Sequence, residues 1–272
     1  MVVQRDILAD LRNKIRCVRE SILSLVARME DIVLQRIPQI RADYALKIGC
    51  WDQALLEAKL AAQRARRRLQ LAQAQVNRGE MPHMDDIEEQ LDIELSAWVT
   101  KAEQARLAYE QALAYLANTT PMSMQDAGEL KRGYRILVKR LHPDVRAGEG
   151  EGRAALFLLA QAAYRNGDVA ALHSLEVATR HLEPSEDDLE ATDDVGLLGQ
   201  ELELARIEAD VMRERLCVLE DGEEMRLARL LADPDWVTKR TAELRRAVEE
   251  WERVRRECDR RLQEIKEGFY EH

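Results

Sequence analysis

Apolar residues recur at steps of three and four near the N-terminus, and this spacing constrains the fold more than any other feature. The series is Leu8, Leu11, Ile15, Val18, Ile22, Leu25, Met29 and Ile32. It places one apolar seam along a helix, and that seam must be covered by another helix. The chain has only 12 Gly, 6 Pro and 4% aromatic residues among 272, too few turn formers for a β-sandwich or barrel. We therefore predict an all-α fold.

The next two apolar series predict a pair of helices joined by a short loop. One series runs over residues 48–76 and the other over 87–116, with Gly79 and Pro82 between them. Glycine and proline are stop signals for helices, so the two segments most simply form an antiparallel hairpin. Pro38 removes an amide donor and is expected to end or kink the first helix before this hairpin begins.

A second antiparallel hairpin is predicted near the C-terminus. Its apolar series cover residues 198–219 and 244–269, and Gly222 and Pro234 lie between them. The seam of the first helix then has two possible uses. It can add a third helix to the first coiled hairpin, or it can form a homodimer through coiled coils. For these coiled arms a role as spacer, scaffold or oligomerisation element is the simplest interpretation.

Charge is unevenly distributed over three predicted regions. Residues 1–119 hold 17 basic and 17 acidic side chains, residues 120–182 hold 9 and 7, and residues 183–272 hold 15 and 27. The total of −10 argues against sequence-independent nucleic-acid binding, which depends on attraction to phosphates. We predict domains over the same three ranges: a coiled-coil region, a small helical domain, and an acidic linker followed by a helical hairpin.

Several classes of protein find little support in the sequence. The longest uncharged apolar run, residues 154–164, is too short to span a bilayer. Four well-separated cysteines suggest neither a disulfide framework nor a zinc site, and the histidines lack paired ligand spacing. No phosphate-binding glycine loop or nucleophile motif is present. We expect a cytoplasmic protein that is not an enzyme and needs no metal or cofactor.

The middle region carries the one sharp motif. Residues 131–146 read KRGYRILVKRLHPDVR. Helical spacing places one apolar face on Leu130, Tyr134, Leu137 and Leu141, and the other faces carry the bases Lys131, Arg132, Arg135, Lys139 and Arg140. The residue before a proline is pushed out of the helical conformation, so the helix should end near His142. Pro143 would then hold His142 and Asp144 on a stiff turn at the end of a basic helix.

This segment resembles the DnaJ-like J-domain family. The second helix of that family carries a Tyr-Arg-x-Leu pattern, a basic face and a His-Pro-Asp loop, and the matching residues are Tyr134, Arg135, Leu137, Arg140, His142, Pro143 and Asp144. The third helix carries a Phe followed, six and seven residues on, by Ala-Tyr, and Phe157, Ala163 and Tyr164 have that spacing. The short first helix of the family has no counterpart in residues 118–125. A Gly/Phe-rich linker, a zinc module and a β-rich client-binding domain are also missing.

The resemblance implies a small J-domain-like helical core flanked by elongated antiparallel coiled-coil hairpins. It also implies a co-chaperone that docks on a DnaK-type heat-shock ATPase and stimulates ATP hydrolysis, with an unknown client. In such docking the bases steer the encounter. His142, Pro143 and Asp144 would bias the conformation of the partner, and Asp144 would accept charge-assisted hydrogen bonds. The implied core residues are Tyr134, Leu137, Leu141, Phe157, Ala163 and Tyr164.

A second hypothesis comes from the missing first helix. The J-like domain would then have lost ATPase stimulation and would serve as an assembly surface in a structural adaptor.

Overall fold

A computed structural model describes residues 2–118, 122–142, 151–182 and 194–270, and these residues contain no strand. The predicted all-α fold is confirmed. The α-helices are α1 (Val2–Asp31), α2 (Ile37–Tyr44), α3 (Cys50–Val76), α4 (Met84–Glu94), α5 (Ser96–Asn118), α6 (Met124–Leu141), α7 (Glu151–Arg165), α8 (Val169–Ala178), α9 (Val195–Glu220), α10 (Glu223–Leu231) and α11 (Pro234–Tyr270). Short π-helical segments cover Ile32–Arg36 and Ala45–Gly49, and a 3₁₀ turn covers Arg180–Leu182.

Pro38 does not end the first helix, in contrast to one of the two predicted outcomes. The backbone stays helical through Pro38, which is the second residue of α2. The π-helical segment Ile32–Arg36 comes directly before it, and the N–H of Ile37 donates to the carbonyl of Ile32, five residues back. A wider turn at this point accommodates the proline, which lacks an N–H and whose ring crowds the preceding turn of an α-helix.

The chain forms two compact units, and each unit combines two segments that are far apart in the sequence. The first unit comprises residues 1–40 and 118–226, and the second comprises residues 41–117 and 227–272. The units therefore do not follow the predicted consecutive ranges 1–119, 120–182 and 183–272. The physical reason is that helices far apart in sequence cover each other's apolar seams.

In the first unit α1 packs along α9. Leu8 and Ile15 of α1 share a core cluster with Leu198 and Leu202 of α9. The helices run parallel, because Arg19 pairs with Glu201 at 2.5 Å and, further along both helices, Arg28 pairs with Glu220 at 2.6 Å. The seam that the sequence left open for a third helix or a homodimer is thus covered by α9 of the same chain.

In the second unit α3 packs along α11, also in parallel. The guanidinium of Arg245 lies 4.3 Å from the ring centre of Trp51. Further along both helices, Arg68 lies 3.8 Å from Asp259. The apolar seam of α9 is buried on α1, and the apolar seam of α11 is buried on α3. The prediction that these two C-terminal helices cover each other's seams in a hairpin is therefore wrong.

The predicted N-terminal hairpin is present over α4, which packs on α3 after the loop. Ala72 of α3 shares a buried cluster with Ile87, Leu91 and Leu95 at the start of the return segment. Glu88 of α4 accepts hydrogen bonds from two arginines of α3, Arg64 and Arg68.

The return segment of this hairpin divides into α4 and α5 around Leu95. Gly49 makes room for the Tyr109 side chain of α5, because a Cβ atom at this position would lie 3.0 Å from a carbon of the Tyr109 ring.

Candidate partner-binding site

The helix α6 begins and ends at clear local signals. The Ser123 hydroxyl accepts a hydrogen bond from the N–H of Asp126 at 3.1 Å, which caps the first turn. At the other end, His142 has φ −62° and ψ 130°, an extended conformation, while its N–H still donates to the carbonyl of Val138 at 3.0 Å. The last helical residue is therefore Leu141, and His142 is already extended, as expected from the steric effect of a proline on the residue before it.

Pro143 and Asp144, which complete the predicted turn, lie outside the described residues.

One face of α6 is buried against α7. Tyr134, Leu137 and Leu141 are at most 2% exposed. From α7, the buried side chains in the same cluster are Phe157, Ala160, Ala163 and Tyr164. All six residues assigned to the core of the J-like domain in the sequence thus lie in one apolar cluster. Ile22 and Val26 of α1 and Leu172 of α8 add to it, so α6 and α7 are packed between α1 and α8.

The two tyrosines of this cluster stack and bond to acids of α1. The rings of Tyr134 and Tyr164 lie 4.1 Å apart with an interplanar angle of 13°. The Tyr134 hydroxyl donates to Glu30 at 2.6 Å, and the Tyr164 hydroxyl donates to Asp31 at 2.6 Å. The side-chain amide of Gln161 also donates to Glu30, at 2.7 Å. These bonds fix the last turn of α1 on the α6–α7 pair.

Burial raises the pKa of both tyrosine hydroxyls well above the usual value, and the hydrogen bond to a carboxylate raises it further. Both hydroxyls therefore remain protonated donors throughout the physiological pH range.

Four bases of α6 form a cationic stripe, which we define as Lys131, Arg132, Arg135 and Lys139. At 3.6 residues per turn they share an arc of about 100°. All four residues are exposed. The stripe is therefore the solvent-facing side of α6.

Acids of α1 contact two members of this stripe. The Lys131 ammonium lies 3.2 Å from Asp31, and the Lys139 ammonium lies 3.6 Å from Glu20. Within the described ranges neither Arg132 nor Arg135 forms an ion pair. These two arginines are thus the cations of the stripe that α1 does not neutralise.

Arg140 lies away from the cationic stripe and contacts α8. Its guanidinium donates to the carbonyl of Glu176 at 2.7 Å and approaches the Thr179 hydroxyl at 3.5 Å. Thr179 is 1% exposed and donates to the carbonyl of Leu175. Arg140 therefore satisfies the carbonyl of Glu176 near the C-terminal end of α8, a structural role within the chain.

His142 is half-buried at the end of α6. Its ring meets the ring of Phe157 edge to face, with centres 5.2 Å apart and an interplanar angle of 82°. This contact sets the position of the imidazole relative to α7.

Glu20, Glu30 and Asp31 belong to the site but were not found by the sequence reasoning. They lie about 100 residues or more before the α6 and α7 groups that they contact. No local pattern marks an acid on α1 as the partner of a particular base or hydroxyl so far along the chain.

The described residues contain no group of three or more His, Cys, Asp and Glu placed to hold a metal ion. No helix in this part of the chain has an apolar stretch long enough to cross a bilayer.

Comparison with protein-family models, with curated proteins and with solved structures finds no match to this chain.

Proposed function

We propose that this protein is a J-domain-type co-chaperone that is not itself an enzyme. It docks on a DnaK-type heat-shock ATPase through α6 and the following His-Pro-Asp turn, and it stimulates hydrolysis of ATP by that partner. The observation that carries the proposal is the amphipathic placement of α6. Its apolar face is buried on Phe157 and Tyr164 of α7, its cationic stripe faces solvent, and the helix ends at His142.

The residues of the site have different roles in this proposal. Arg132 and Arg135 attract an acidic surface of the partner and orient the encounter, because exposed charges act mainly on association. His142 and Asp144 then make the contacts that differ between the two states of the ATPase, as any shift of a conformational equilibrium requires. Pro143 limits the backbone freedom of both neighbours.

The position of α1 answers the objection that the first helix of the family is missing before α6. Ile22 and Val26 of α1 are buried in the same cluster as Tyr134 and Phe157. In our proposal α1 supplies the apolar cover that the family obtains from its short first helix. The shared cluster supports the proposal, although the sequence signature of the first helix is absent.

The second candidate function is a structural adaptor whose J-like domain is only an assembly surface. One observation favours it: Lys131, Lys139 and Arg140 contact residues of the same chain. Bases with internal partners are less available to an external acidic surface.

We place the proposed activity in the reduced cytoplasm. All four cysteines are free thiols, and the compartments that maintain thiols in this state are cytosolic.

A steady-state ATPase assay with a purified bacterial DnaK tests the proposal. We expect the full chain to stimulate ATP hydrolysis and His142→Gln to abolish the stimulation. The matched control is His173→Gln, at an exposed position on α8, which should stimulate like the wild type. Helix content measured by circular dichroism should be the same for all three proteins. Absence of stimulation at saturating wild-type protein would contradict the co-chaperone proposal and favour the adaptor.

A charge-reversal experiment tests the docking surface separately. Arg132→Glu combined with Arg135→Glu should slow association with DnaK by about tenfold or more at low salt, with a smaller difference at high salt. The control reverses two exposed bases of α11, Arg246 and Arg253, and produces the same change in net charge. Equal loss in both double variants would show that only the total charge matters.

A further inference from the structure

The helix α9 has two apolar faces, and the fold covers only one of them. The inner face packs towards α1 and consists of the buried residues Leu198, Leu202, Ala205, Ala209, Met212 and Leu216. On the other side five aliphatic residues form what we call the outer stripe: Leu197, Leu204, Ile207, Val211 and Val218. Their exposed fractions range from 40% to 73%. No element among the described residues buries these side chains.

The outer stripe has the spacing of a helix-packing seam. Successive members are seven, three, four and seven residues apart, which confines them to an arc of about 80° and a length of about 32 Å on an α-helix. Single exposed aliphatic residues are common on protein surfaces, whereas five along one arc of a single helix are not. Two exposed polar residues lie in the same arc, Gln200 between Leu197 and Leu204 and Arg215 between Val211 and Val218. Steps of three, four and seven match the positions that pack in coiled coils. The stripe is therefore suited to contact another helix.

The borders of the outer stripe are acidic. Glu201 and Glu208 lie along one edge, Glu203 and Glu214 lie along the other, and Arg215 is the one base of α9 in the same arc. Acids thus outnumber bases four to one around the exposed row. The preceding twelve residues, 183–194, add seven acids and no base to the sequence beside this helix.

Two of the four border acids have partners within the first unit. Glu201 pairs with Arg19 of α1 at 2.5 Å, and Glu203 pairs with Arg206 at 2.7 Å. Glu208 and Glu214 form no ion pair or hydrogen bond with any other described residue. They lie on opposite edges beside the middle of the stripe. A ligand with a base on each side of an apolar row would meet both carboxylates.

We propose that the outer stripe of α9 binds a cationic amphipathic helix of a partner protein. The apolar face of the partner helix would cover the five aliphatic residues, and its Lys or Arg residues would lie against the acidic borders. Recognition of an amphipathic helix through anchors at helical spacing is a common mode of protein association. This surface lies on a different helix from the cationic stripe of α6, so either site can fail in experiment without the other.

Charge is the reason for choosing this occupant over a second copy of the chain. In a parallel pair of α9 helices, the edge with Glu208 would face the edge with Glu203 of the other copy. In an antiparallel pair each edge would face itself. With Arg215 as the one exception, both arrangements place acids against acids, and like charges across an interface suppress association.

Binding of two designed peptides to the full chain tests the proposal. Each peptide is a fluorescently labelled amphipathic helix of about 24 residues, long enough to cover the stripe. One has Leu at the seven-three-four-seven spacing with Lys along both borders, and the other has Glu in place of every Lys. We expect fluorescence anisotropy to detect binding of the Lys peptide only. Binding should weaken at high salt, because the border charges are exposed.

Two double variants locate the binding. Leu204→Gln with Val211→Gln should weaken binding of the Lys peptide by about tenfold or more, since both changes remove apolar anchors from the stripe centre. The control, Leu158→Gln with Leu159→Gln, changes two aliphatic residues of α7 that are 64% and 57% exposed, and it should bind like the wild type. Circular dichroism should confirm equal helix content.

Three results would overturn the proposal. The first is no binding of the Lys peptide, or equal binding of the Lys and Glu peptides. The second is equal affinity of the stripe variant and the control variant. The third is self-association of the wild type in analytical ultracentrifugation that Leu204→Gln with Val211→Gln abolishes, because a second copy would then be the occupant.

Discussion

Removing the hydroxyl groups of Tyr134 and Tyr164 should loosen the end of α1 from the α6–α7 pair. Tyr→Phe keeps the stacked rings, whose centres are 4.1 Å apart, and deletes only the bonds to Glu30 and Asp31. A hydrogen bond to a charged group contributes about 1.5 to 3 kcal/mol. Each carboxylate here keeps a second donor, because Gln161 still contacts Glu30 and Lys131 still contacts Asp31.

The retained donors reduce the cost of leaving each carboxylate without its tyrosine. We therefore expect each substitution to destabilise the α1 contact by about 1 to 2 kcal/mol. Since that free energy is a factor of about 5 to 30 in an opening equilibrium, amide protons in the last turns of α1 should exchange faster by this factor. Hydrogen–deuterium exchange resolved by mass spectrometry measures it directly.

Tyr109→Phe is the matched control for this experiment. Tyr109 lies on α5 in the second unit, and its hydroxyl forms no hydrogen bond with the described residues. Its substitution should leave α1 exchange unchanged. If Tyr134→Phe and Tyr164→Phe also leave it unchanged, the hydroxyl–carboxylate bonds do not hold α1, and the reasoning is refuted.

Three further predictions concern the core, the N-terminal hairpin and the proposed docking. Leu137→Ala, at a fully buried site, should destabilise the protein by about 2 to 5 kcal/mol in urea unfolding, whereas Leu159→Ala, at an exposed site, should stay within about 0.5 kcal/mol. The Arg67 guanidinium lowers the pKa of Glu94 to about 2 from 4.5, so this pair stabilises the hairpin above pH 4.5 and the stabilisation is lost as the pH falls through 2. Glu94→Gln should remove this part of the acid dependence of amide hydrogen exchange in the hairpin. An unchanged pH profile of exchange would contradict the pairing. If the chain docks on DnaK, Glu20→Gln should strengthen binding at low salt by up to about fivefold. The substitution releases Lys139 from an exposed ion pair that contributes at most about 1 kcal/mol. Unchanged affinity in a binding titration would show that the acids of α1 do not compete with DnaK for the cationic stripe.

Local sequence determines the helices and the ends of α6. Apolar residues three and four positions apart specify which side of a helix must be covered, and that information lies within each segment. The same is true of the end of α6, where a steric contact between neighbouring residues ends the helix at His142. The burial of Tyr134 and Leu137 follows from the same periodicity, and so does the exposure of the cationic stripe.

Tertiary structure decides which helix covers which seam. Several apolar seams of similar width occur along the chain, and a short loop favours but does not force the pairing of neighbours. In the N-terminal hairpin α4 pairs with α3 across its loop, whereas α9 packs in parallel on α1 and α11 packs in parallel on α3. Pro38 is a related case. Its missing N–H and its ring predict an ended or kinked helix, but the π-helical turn before it lets the helix continue.

The charges around the candidate site are also a property of the folded chain. The sequence marks the bases of α6, but Glu20 and Asp31 reach Lys139 and Lys131 only after α1 packs along α6. Periodicity is a relation between near neighbours and can be read from the chain. Coulombic and hydrogen-bond partners depend on distance in space, and residues 100 or more positions apart in the chain come close enough only through folding.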